Sequence, residues 1–215
     1  MQKPTNQLII AIDREFGSGG KEIATIIGRT LQLPVYEKNI LQNLGIPDQK
    51  DVQDLYYRDE SPRWKLTSRT VRGLTNSNEA ALAAMEFDFL RDKARNGDSF
   101  IILGHCAEEV LKEYPCMAAF FVSASDEFKI PRIMAEANLT EEEAIAKMKR
   151  HNWKRKNYHN SYCENKWGSS KNYDLCLRSD KLGTERSAYL LIDFVAEKYP
   201  NLFDYHVNKE AQEAK

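Results

Sequence analysis

The sequence lacks the features that are typical of membrane, secreted and nucleic-acid-binding proteins. No apolar run approaches the ~18 residues of a membrane-spanning helix, and the N-terminus lacks the apolar core of a signal peptide. The formal net charge of -1 leaves no excess of basic residues to attract nucleic acid or acidic lipid. We therefore expect a cytoplasmic protein that binds neither a membrane nor a nucleic-acid polymer.

The sequence also lacks any C-x-x-C pair. Structural zinc sites usually contain such pairs, so the spacing disfavours metal binding by the cysteines and favours reduced thiols. His105 precedes a cysteine, but neighbouring residues on a strand point to opposite faces, which disfavours a catalytic dyad. The four cysteines are Cys106, Cys116, Cys163 and Cys176.

Apolar runs alternate with helical patterns along the chain. This alternation is typical of a parallel sheet covered by helices on both faces. Its 215 residues, 42% hydrophobic and 29% charged, suit a single domain. The predicted strands are Leu8–Ile12, Val35–Tyr36, Ser99–Leu103, Met117–Val122 and Tyr173–Leu177. The predicted helices are Lys21–Leu31, Glu37–Leu44, Glu79–Asn96, Ala107–Glu113 and Thr184–Lys198, with two more beginning at Asp126 and after Thr140.

The first strand leads into a loop that contains Gly17, Ser18, Gly19 and Gly20, and a helical pattern begins near Lys21. Glycine lets successive backbone N–H groups turn toward an anion, and the N-terminus of the helix adds partial positive charge. This order predicts a phosphate-binding loop, with Lys21 where a P-loop lysine reaches the terminal phosphates. A plain glycine turn between a strand and a helix is the alternative.

The loop matches the P-loop pattern G-x-x-x-x-G-K-[ST] only in part. With Gly20 and Lys21 placed on its G-K, Glu15 occupies the position of the first glycine. Glu22 then occupies the position of the hydroxyl that binds Mg²⁺. The pattern predicts phosphate binding more directly than it predicts a metal ligand.

Two segments are rich in basic residues. Residues 48–78 combine arginines with tyrosine and tryptophan, a mixture suited either to a phosphate and a base or to a solvated loop. The helix after Thr140 carries Lys147, Arg150 and Lys154 on one face. This helix is either a solvated surface helix or a lid whose cations close over a polyphosphate.

Taken together, these segments resemble the cytidylate kinase-like family of P-loop nucleoside monophosphate kinases over roughly Leu8 to Tyr199. The resemblance rests on four motifs: IAIDREFGSGGKEIA, PVYEKNIL, IILGHCAEEVL and KWGSSKNYDLCLRSDKLG. It implies a three-layer P-loop kinase fold with about five parallel strands. It further implies a nucleoside monophosphate-binding insertion at 38–78 and a helical lid at 126–165. The polar tail 208–215 is expected to be frayed.

The resemblance implies a kinase in which ATP, with Mg²⁺, donates its γ-phosphoryl group to a nucleoside monophosphate such as CMP. Phosphoryl transfer needs alignment and charge neutralisation more than covalent help from the protein. The implied catalytic residues are Lys21, Arg150 and Arg155. The implied donor-binding residues are Gly17, Ser18, Gly19, Gly20, Lys21 and Lys154, with Ser18 also a candidate Mg²⁺ ligand. The implied acceptor-binding residues are Arg69, Arg72 and Arg132.

The chain departs from the family pattern at three places. The span from Asp13 to Lys21 is one residue longer than in standard cytidylate kinases, Glu22 replaces Ser or Thr, and His105 replaces the Arg of a Gly-Arg pair. Histidine lacks the bidentate fork of arginine, so His105 is equally interpreted as a satisfied polar residue at the end of a strand.

These departures keep two other functions open. One is a regulatory or sensor protein that binds nucleotide and has lost efficient catalysis. The other is a kinase of a non-nucleotide acceptor, such as a sugar, an antibiotic or a shikimate-like alcohol. The sequence specifies neither the acceptor nor the oligomeric state.

Overall fold

The computed structural model describes residues 6–37, 40 and 69–202, and within 69–79 it describes the backbone alone. Most of the predicted insertion at 38–78, the helical pattern that continues to Leu44 and the frayed tail at 208–215 lie outside the described residues.

Five strands form one parallel sheet in the order β2-β3-β1-β4-β5. The strand order places β1 at the centre, between β3 and β4. The predicted fold class, a five-stranded parallel sheet with helices on both faces, is thereby confirmed. The strands are β1 (Ile9–Arg14), β2 (Val35–Tyr36), β3 (Phe100–Leu103), β4 (Met117–Ser123) and β5 (Leu175–Arg178).

The helices follow the predicted order but differ at several ends. The helix predicted over Glu79–Asn96 begins at Arg69, so the capping signal at Asn76–Asn78 does not start it. The last begins at Ser179 and bends at Gly183, which has a φ of 77°. The helices are α1 (Gly20–Leu31), α2 (Arg69–Arg95), α3 (Ala107–Val110), α4 (Asp126–Ala137), α5 (Glu141–Tyr162) and α6 (Ser179–Lys198), with a short 3₁₀ turn at Ser170–Asn172.

Each face of the sheet has its own apolar core, because successive side chains of a strand point to opposite faces. Ile10 and Ile12 of β1 pack in the cluster that includes residues of α1 and α6. Ile9 and Ala11 pack in the cluster that includes residues of α2 and α3. The central strand is therefore buried on both faces, which holds its carboxyl end and the loop after it in place. Within the described ranges, every helix is too short or too polar to cross a membrane.

The capping box predicted at the start of α5 is present. The Thr140 hydroxyl accepts a hydrogen bond from the backbone N–H of Glu143, and the Glu143 carboxylate accepts one from the backbone N–H of Thr140. We expect Thr140→Ala to lower the free energy of unfolding by about 1 kcal/mol, because first-turn N–H groups lose an acceptor. Denaturant titration measures this change. Glu142→Ala, at an exposed first-turn position outside the box, is the control, and equal losses in both variants would contradict the prediction.

Candidate functional site

The glycine loop lies at the carboxyl edge of the central strand, between the end of β1 at Arg14 and the start of α1 at Gly20. Gly17 and Gly19 adopt the left-handed backbone region, with φ of 83° and 80°. Gly19 is the N-cap of α1 and supplies no side-chain cap. Since the first N–H groups of a helix lack acceptors within the helix, this end of α1 is suited to hold an anion such as phosphate.

Close packing explains why three glycines are needed in this loop. A Cβ added at Gly17 would lie 2.8 Å from Cδ1 of Ile133, and one at Gly19 would lie 2.4 Å from Cγ2 of Thr184. A Cβ at Gly20 would lie 2.7 Å from Cβ of Arg14. The loop therefore has its shape only while these positions carry no side chain.

Ser18, predicted as a donor-binding residue and Mg²⁺ ligand, is fully buried. Its hydroxyl donates a hydrogen bond to the Glu15 carbonyl at 2.9 Å, and its own carbonyl accepts one from the Ser179 hydroxyl at 2.6 Å. The hydroxyl thus stabilises the loop from inside. Ser18 as a Mg²⁺ ligand stays a prediction, and it requires this hydroxyl to leave the Glu15 carbonyl.

Lys21 lies on the exposed side of the loop, with 75% of its side chain accessible, and its Nζ is 3.2 Å from Oε2 of Glu37. Nη2 of Arg14 is 3.0 Å from the other oxygen of the same carboxylate. Burial of Glu37 opposes its ionisation, but the charges and hydrogen bonds of Arg14 and Lys21 outweigh this effect and lower its pKa. Two cations therefore converge on one carboxylate beside the loop.

Arg14 is a candidate that the sequence analysis missed. Its side chain is 9% exposed, and Nη1 lies 2.6 Å from the point where a Cβ on Gly104 would be. If Gly19 is counted as the second glycine of the P-loop pattern, Arg14 takes the position of the first glycine and Gly20 that of the lysine. The one-residue extension of the loop was the signal for this second alignment, which makes Arg14 a candidate for phosphate binding.

The predicted lid helix, α5, packs directly against the loop. The Asn152 amide oxygen accepts a hydrogen bond from the backbone N–H of Phe16 at 2.7 Å, and the His151 ring stacks on the Phe16 ring at 4.3 Å. Nη1 of Arg155 donates to the Arg14 carbonyl at 2.9 Å. Helix α5 therefore contacts the loop, mainly at Phe16.

The three cations predicted to act on the lid, Arg150, Lys154 and Arg155, occupy different environments. Arg155 turns toward the loop, where burial and the charge of Arg14 lower its pKa to about 9, so that it remains a cation at neutral pH. Arg150 is exposed, and Lys154 is half-buried. The structure thus brings Arg155 to the loop, while Arg150 lies on the solvent side of α5.

Arg132 and Glu22 form a pair beside the N-terminus of α1. Nη2 of Arg132 is 2.8 Å from Oε2 of Glu22, and the Thr184 hydroxyl donates to Oε1 at 2.9 Å. Burial opposes ionisation of Glu22, but these hydrogen bonds and the Arg132 charge lower its pKa. Arg132, predicted to bind the acceptor, is therefore next to the donor loop, and Glu22 links α1 to α4 and α6.

A buried lysine, Lys129, forms an ion pair with the loop residue Glu15. Nζ of Lys129 is 2.7 Å from Oε2 of Glu15 and 2.9 Å from Oδ1 of Asp126. Burial opposes the charge of Lys129, but its hydrogen bonds to Glu15 and Asp126 raise its pKa. Glu15 is thereby held by α4, which explains how an acidic residue is accommodated next to a phosphate-binding loop.

His105 is a satisfied polar residue at the end of β3, one of its two interpretations from sequence. Its Nδ1 is 2.9 Å from Oε2 of Glu86, and its Nε2 is 3.1 Å from the Glu37 carbonyl oxygen. Glu86 is 2% exposed and also accepts a hydrogen bond from the Tyr158 hydroxyl at 3.0 Å. His105 therefore connects β3, α2 and the residue that pairs with Lys21.

Asp13 joins the first and last sequence motifs. Its Oδ2 accepts a hydrogen bond from Trp167 Nε1 at 2.6 Å, and its Oδ1 accepts one from the backbone N–H of Arg14 at 2.8 Å. The KWGSS segment is thus hydrogen-bonded to the residue that precedes the glycine loop.

Arg69 and Arg72, which were predicted to bind the acceptor, lie in the first turns of α2, and their side chains are outside the described residues.

The chain is similar to known proteins in sequence and in fold. A sequence model described as "Cytidylate kinase-like family" matches residues 9–181. An uncharacterized protein from Eubacterium ventriosum ATCC 27560 is 32% identical, with a TM-score of 0.70 over 88% of this chain and 98% of its own. No curated protein sequence matches at a significant level.

Two more distant structures share the fold alone. Shikimate kinase from Bacteroides thetaiotaomicron is 13% identical, with a TM-score of 0.53 over 87% of this chain and 98% of its own. A gluconokinase from Sinorhizobium meliloti 1021 is 10% identical, with a TM-score of 0.51 over 94% of this chain and 98% of its own.

Proposed function

Because the chain belongs to the cytidylate kinase-like family, we propose that it is a kinase that transfers the γ-phosphoryl group of ATP to a nucleoside monophosphate such as CMP. The family and the fold support the coarser statement, a nucleotide-dependent kinase. The identity of the acceptor is the part that we add.

The observation that carries the proposal is the uncapped N-terminal end of α1, with two cations, Arg14 and Lys21, beside the loop. Gly19 leaves the first turn of α1 without a side-chain cap, and Arg14 and Lys21 converge beside it. In phosphoryl transfer, charge develops on the oxygens of the transferring group and the leaving group, and fixed donors stabilise it. The backbone of Gly17–Gly20 would hold the donor phosphates, and Lys21 would neutralise the developing charge.

Mg²⁺ accompanies ATP in this proposal. Magnesium keeps several waters and is held mostly by substrate phosphates with one or two carboxylates. Among the described side chains, Glu22 occupies the position of the Mg²⁺-binding hydroxyl in the P-loop pattern, and its carboxylate is 49% exposed. The ion would supply charge neutralisation there in exchange for Arg132, while Thr184 would keep its hydrogen bond to the Glu22 carboxylate.

The remaining predicted residues are assigned by the same proposal. Arg155, with Arg150 and Lys154 on the same helix, would close over the transferring group. Arg69 and Arg72, at the start of α2, would bind the acceptor phosphate. The segments at 38–78 and 126–165 would then act as the acceptor-binding insertion and the lid.

A coupled assay with ATP, Mg²⁺ and a panel of nucleoside monophosphates, shikimate and gluconate tests the proposal. We expect turnover with at least one monophosphate and background rates with the other acceptors. Turnover only with a non-nucleotide alcohol would replace the proposed acceptor. No turnover with any acceptor, in protein that binds ATP, would exclude catalysis.

A nucleotide sensor without efficient catalysis is the second candidate, and one observation favours it. The Ser18 hydroxyl is buried and engaged, and Glu22 is already paired with Arg132. If these contacts persist with nucleotide bound, the affinity for ATP should hardly change when Mg²⁺ is removed. Isothermal titration calorimetry with and without EDTA distinguishes this case from a Mg²⁺-dependent kinase.

Replacing Arg155 tests the role of the lid helix. We expect Arg155→Met to lower kcat by roughly tenfold or more, while the Kd for ATP changes by less than about threefold, because the guanidinium fixes α5 on the loop. Stopped-assay kinetics and calorimetry measure the two quantities. Lys149→Met, an exposed position on α5, is the matched control. An equal loss of ATP affinity and kcat would show that Arg155 supports only the donor loop.

A further inference from the structure

Beyond the phosphate site, two cysteines, a histidine and a glutamate meet where the end of α5 lies against the start of α3. Cys106 and Glu108 come from the segment after β3, and His159 and Cys163 come from the last turn of α5 and its C-cap. The proposed kinase mechanism uses none of the four. The pair Cys106 and Glu108 is far in sequence from the pair His159 and Cys163, and the fold brings the two pairs together.

The distances among these groups are short. His159 Nε2 is 2.5 Å from Oε1 of Glu108. One donor atom each from Glu108, His159 and Cys163 lies within 4.8 Å of the others. The thiol of Cys106 is next to that of Cys163, and this neighbour together with burial raises the pKa of Cys106. Three potential ligand atoms, from Glu108, His159 and Cys163, therefore share one small volume.

Burial makes this cluster unusual. His159 and Cys106 are each 2% exposed, and Glu108 is 7% exposed. Nδ1 of His159 is buried with no hydrogen-bond partner among the described residues, while Nε2 is engaged by Glu108. An ion that takes the place of the proton between Nε2 and Oε1 would be held by His159 and Glu108 together, and Nδ1 would then carry the imidazole proton.

We propose that Glu108, His159 and Cys163 form a binding site for a divalent transition metal ion, with Zn²⁺ as the best fit. Thiolate, imidazole and carboxylate are the three protein ligand types of zinc, and sulfur ligands disfavour Mg²⁺ and Ca²⁺. The site is therefore chemically distinct from any magnesium ion bound with ATP.

The spacing of the donors fits such an ion after small side-chain movements. Ligand atoms about 2.0–2.3 Å from a tetrahedral zinc ion are roughly 3.3–3.8 Å apart. Since the donor atoms of Glu108, His159 and Cys163 already lie within 4.8 Å of one another, no pair has to approach by more than about 1 Å. Nε2 of His159 and Oε1 of Glu108, which are 2.5 Å apart, have to separate by about 1 Å as the ion takes the place of the proton between them. Cys163 is half-buried, which leaves a path by which the ion enters.

Metal binding at this site would join α5 to α3. The same helix α5 contacts the glycine loop through Asn152 and Arg155. A bound ion would hold the C-terminal end of α5 in place. The site is thus a structural brace for the helix that packs on the loop, and its occupancy is independent of phosphoryl transfer.

Titration of the full-length, reduced, EDTA-treated protein with Co²⁺ tests the proposal. We expect one equivalent of Co²⁺ to bind and to produce a thiolate-to-cobalt charge-transfer band with the visible bands of tetrahedral cobalt, and Zn²⁺ to displace it. Cys163→Ser should abolish the charge-transfer band or weaken the Kd by about 100-fold, and His159→Gln should weaken the Kd by about 10- to 100-fold.

Cys176→Ser is the matched control, because Cys176 is an exposed cysteine outside the cluster. Its cobalt spectrum and Kd should equal those of the unaltered protein. Absence of the band, or its persistence in Cys163→Ser, would overturn the proposal. Circular dichroism of each variant shows that it is folded. Because the measurement is spectroscopic and needs no acceptor, failure of the proposed kinase activity would leave its outcome unaffected.

Discussion

Lys21→Ala is expected to lower kcat by about 10²–10³-fold, the typical cost of removing one group that stabilises charge in a transition state. Lys21 is the exposed cation at the first turn of α1, held near the loop by Glu37. In the free protein it pairs with that carboxylate, and a bound polyphosphate would compete for it. The initial rate with saturating ATP and acceptor is the measurement, together with the Kd for ATP.

Lys112→Ala is the control for this experiment. Lys112 is also exposed, with 55% of its side chain accessible, and it also forms an ion pair, with Glu109. Loss of a surface ion pair contributes little, so this variant should keep its full rate. If Lys21→Ala also keeps its rate, the functional cation is elsewhere. Arg14→Lys would then be the next variant, because Arg14 shares the Glu37 carboxylate.

Gly19→Ala is expected to weaken ATP binding by at least about tenfold, which corresponds to roughly 1.4 kcal/mol. Gly19 has a φ of 80°, and an added Cβ would lie 2.4 Å from Cγ2 of Thr184. Either the loop or Thr184 must move, and the N–H groups at the start of α1 then lose their common direction. Calorimetric titration with ATP measures the loss.

Gly183→Ala separates this steric effect from backbone strain. Gly183 has a φ of 77°, but an added Cβ there meets no atom within 4 Å. Both variants should lose folding free energy from positive φ, about 1–2 kcal/mol for Gly19→Ala, with ψ of 8°, and about 1–3 kcal/mol for Gly183→Ala, with ψ of 166°; denaturant titration measures both losses. Only Gly19→Ala should lose ATP affinity. Equal loss of affinity in both would mean that the glycines matter for stability rather than for the shape of the loop.

Much of the fold was predictable because it depends on local patterns. The run Leu8–Ile12, the glycines after it and the helical spacing from Lys21 predicted β1, the loop and α1. The capping box at Thr140 predicted the start of α5. The start of α2 was not predicted, because Arg69–Asn78 has no apolar periodicity and its capping signal was overridden.

The site was predicted less completely than the fold. The glycines, Lys21, Arg155 and Arg132 all lie at or beside the loop. The burial of Ser18 was not predicted, since a sequence shows that a hydroxyl is present but not which way it points, and its role as a metal ligand stays a prediction. Arg14 was missed, because its contacts with Gly104 and Glu37 join residues that are far apart in the sequence. Its close packing on Gly20 depends on the conformation of the loop, which the sequence does not show.

The amino-acid sequence by itself determined the class of the fold, the position of the phosphate-binding loop and the family. These depend on hydrophobic periodicity and on glycine, whose effects extend over a few residues. Only the tertiary structure decided that Glu22 pairs with Arg132, that His105 is satisfied by Glu86, and that Cys106 and Cys163 meet beside His159. Partners this far apart in the chain become neighbours only when the sheet and its helices have packed, because local propensity carries no information about distant contacts.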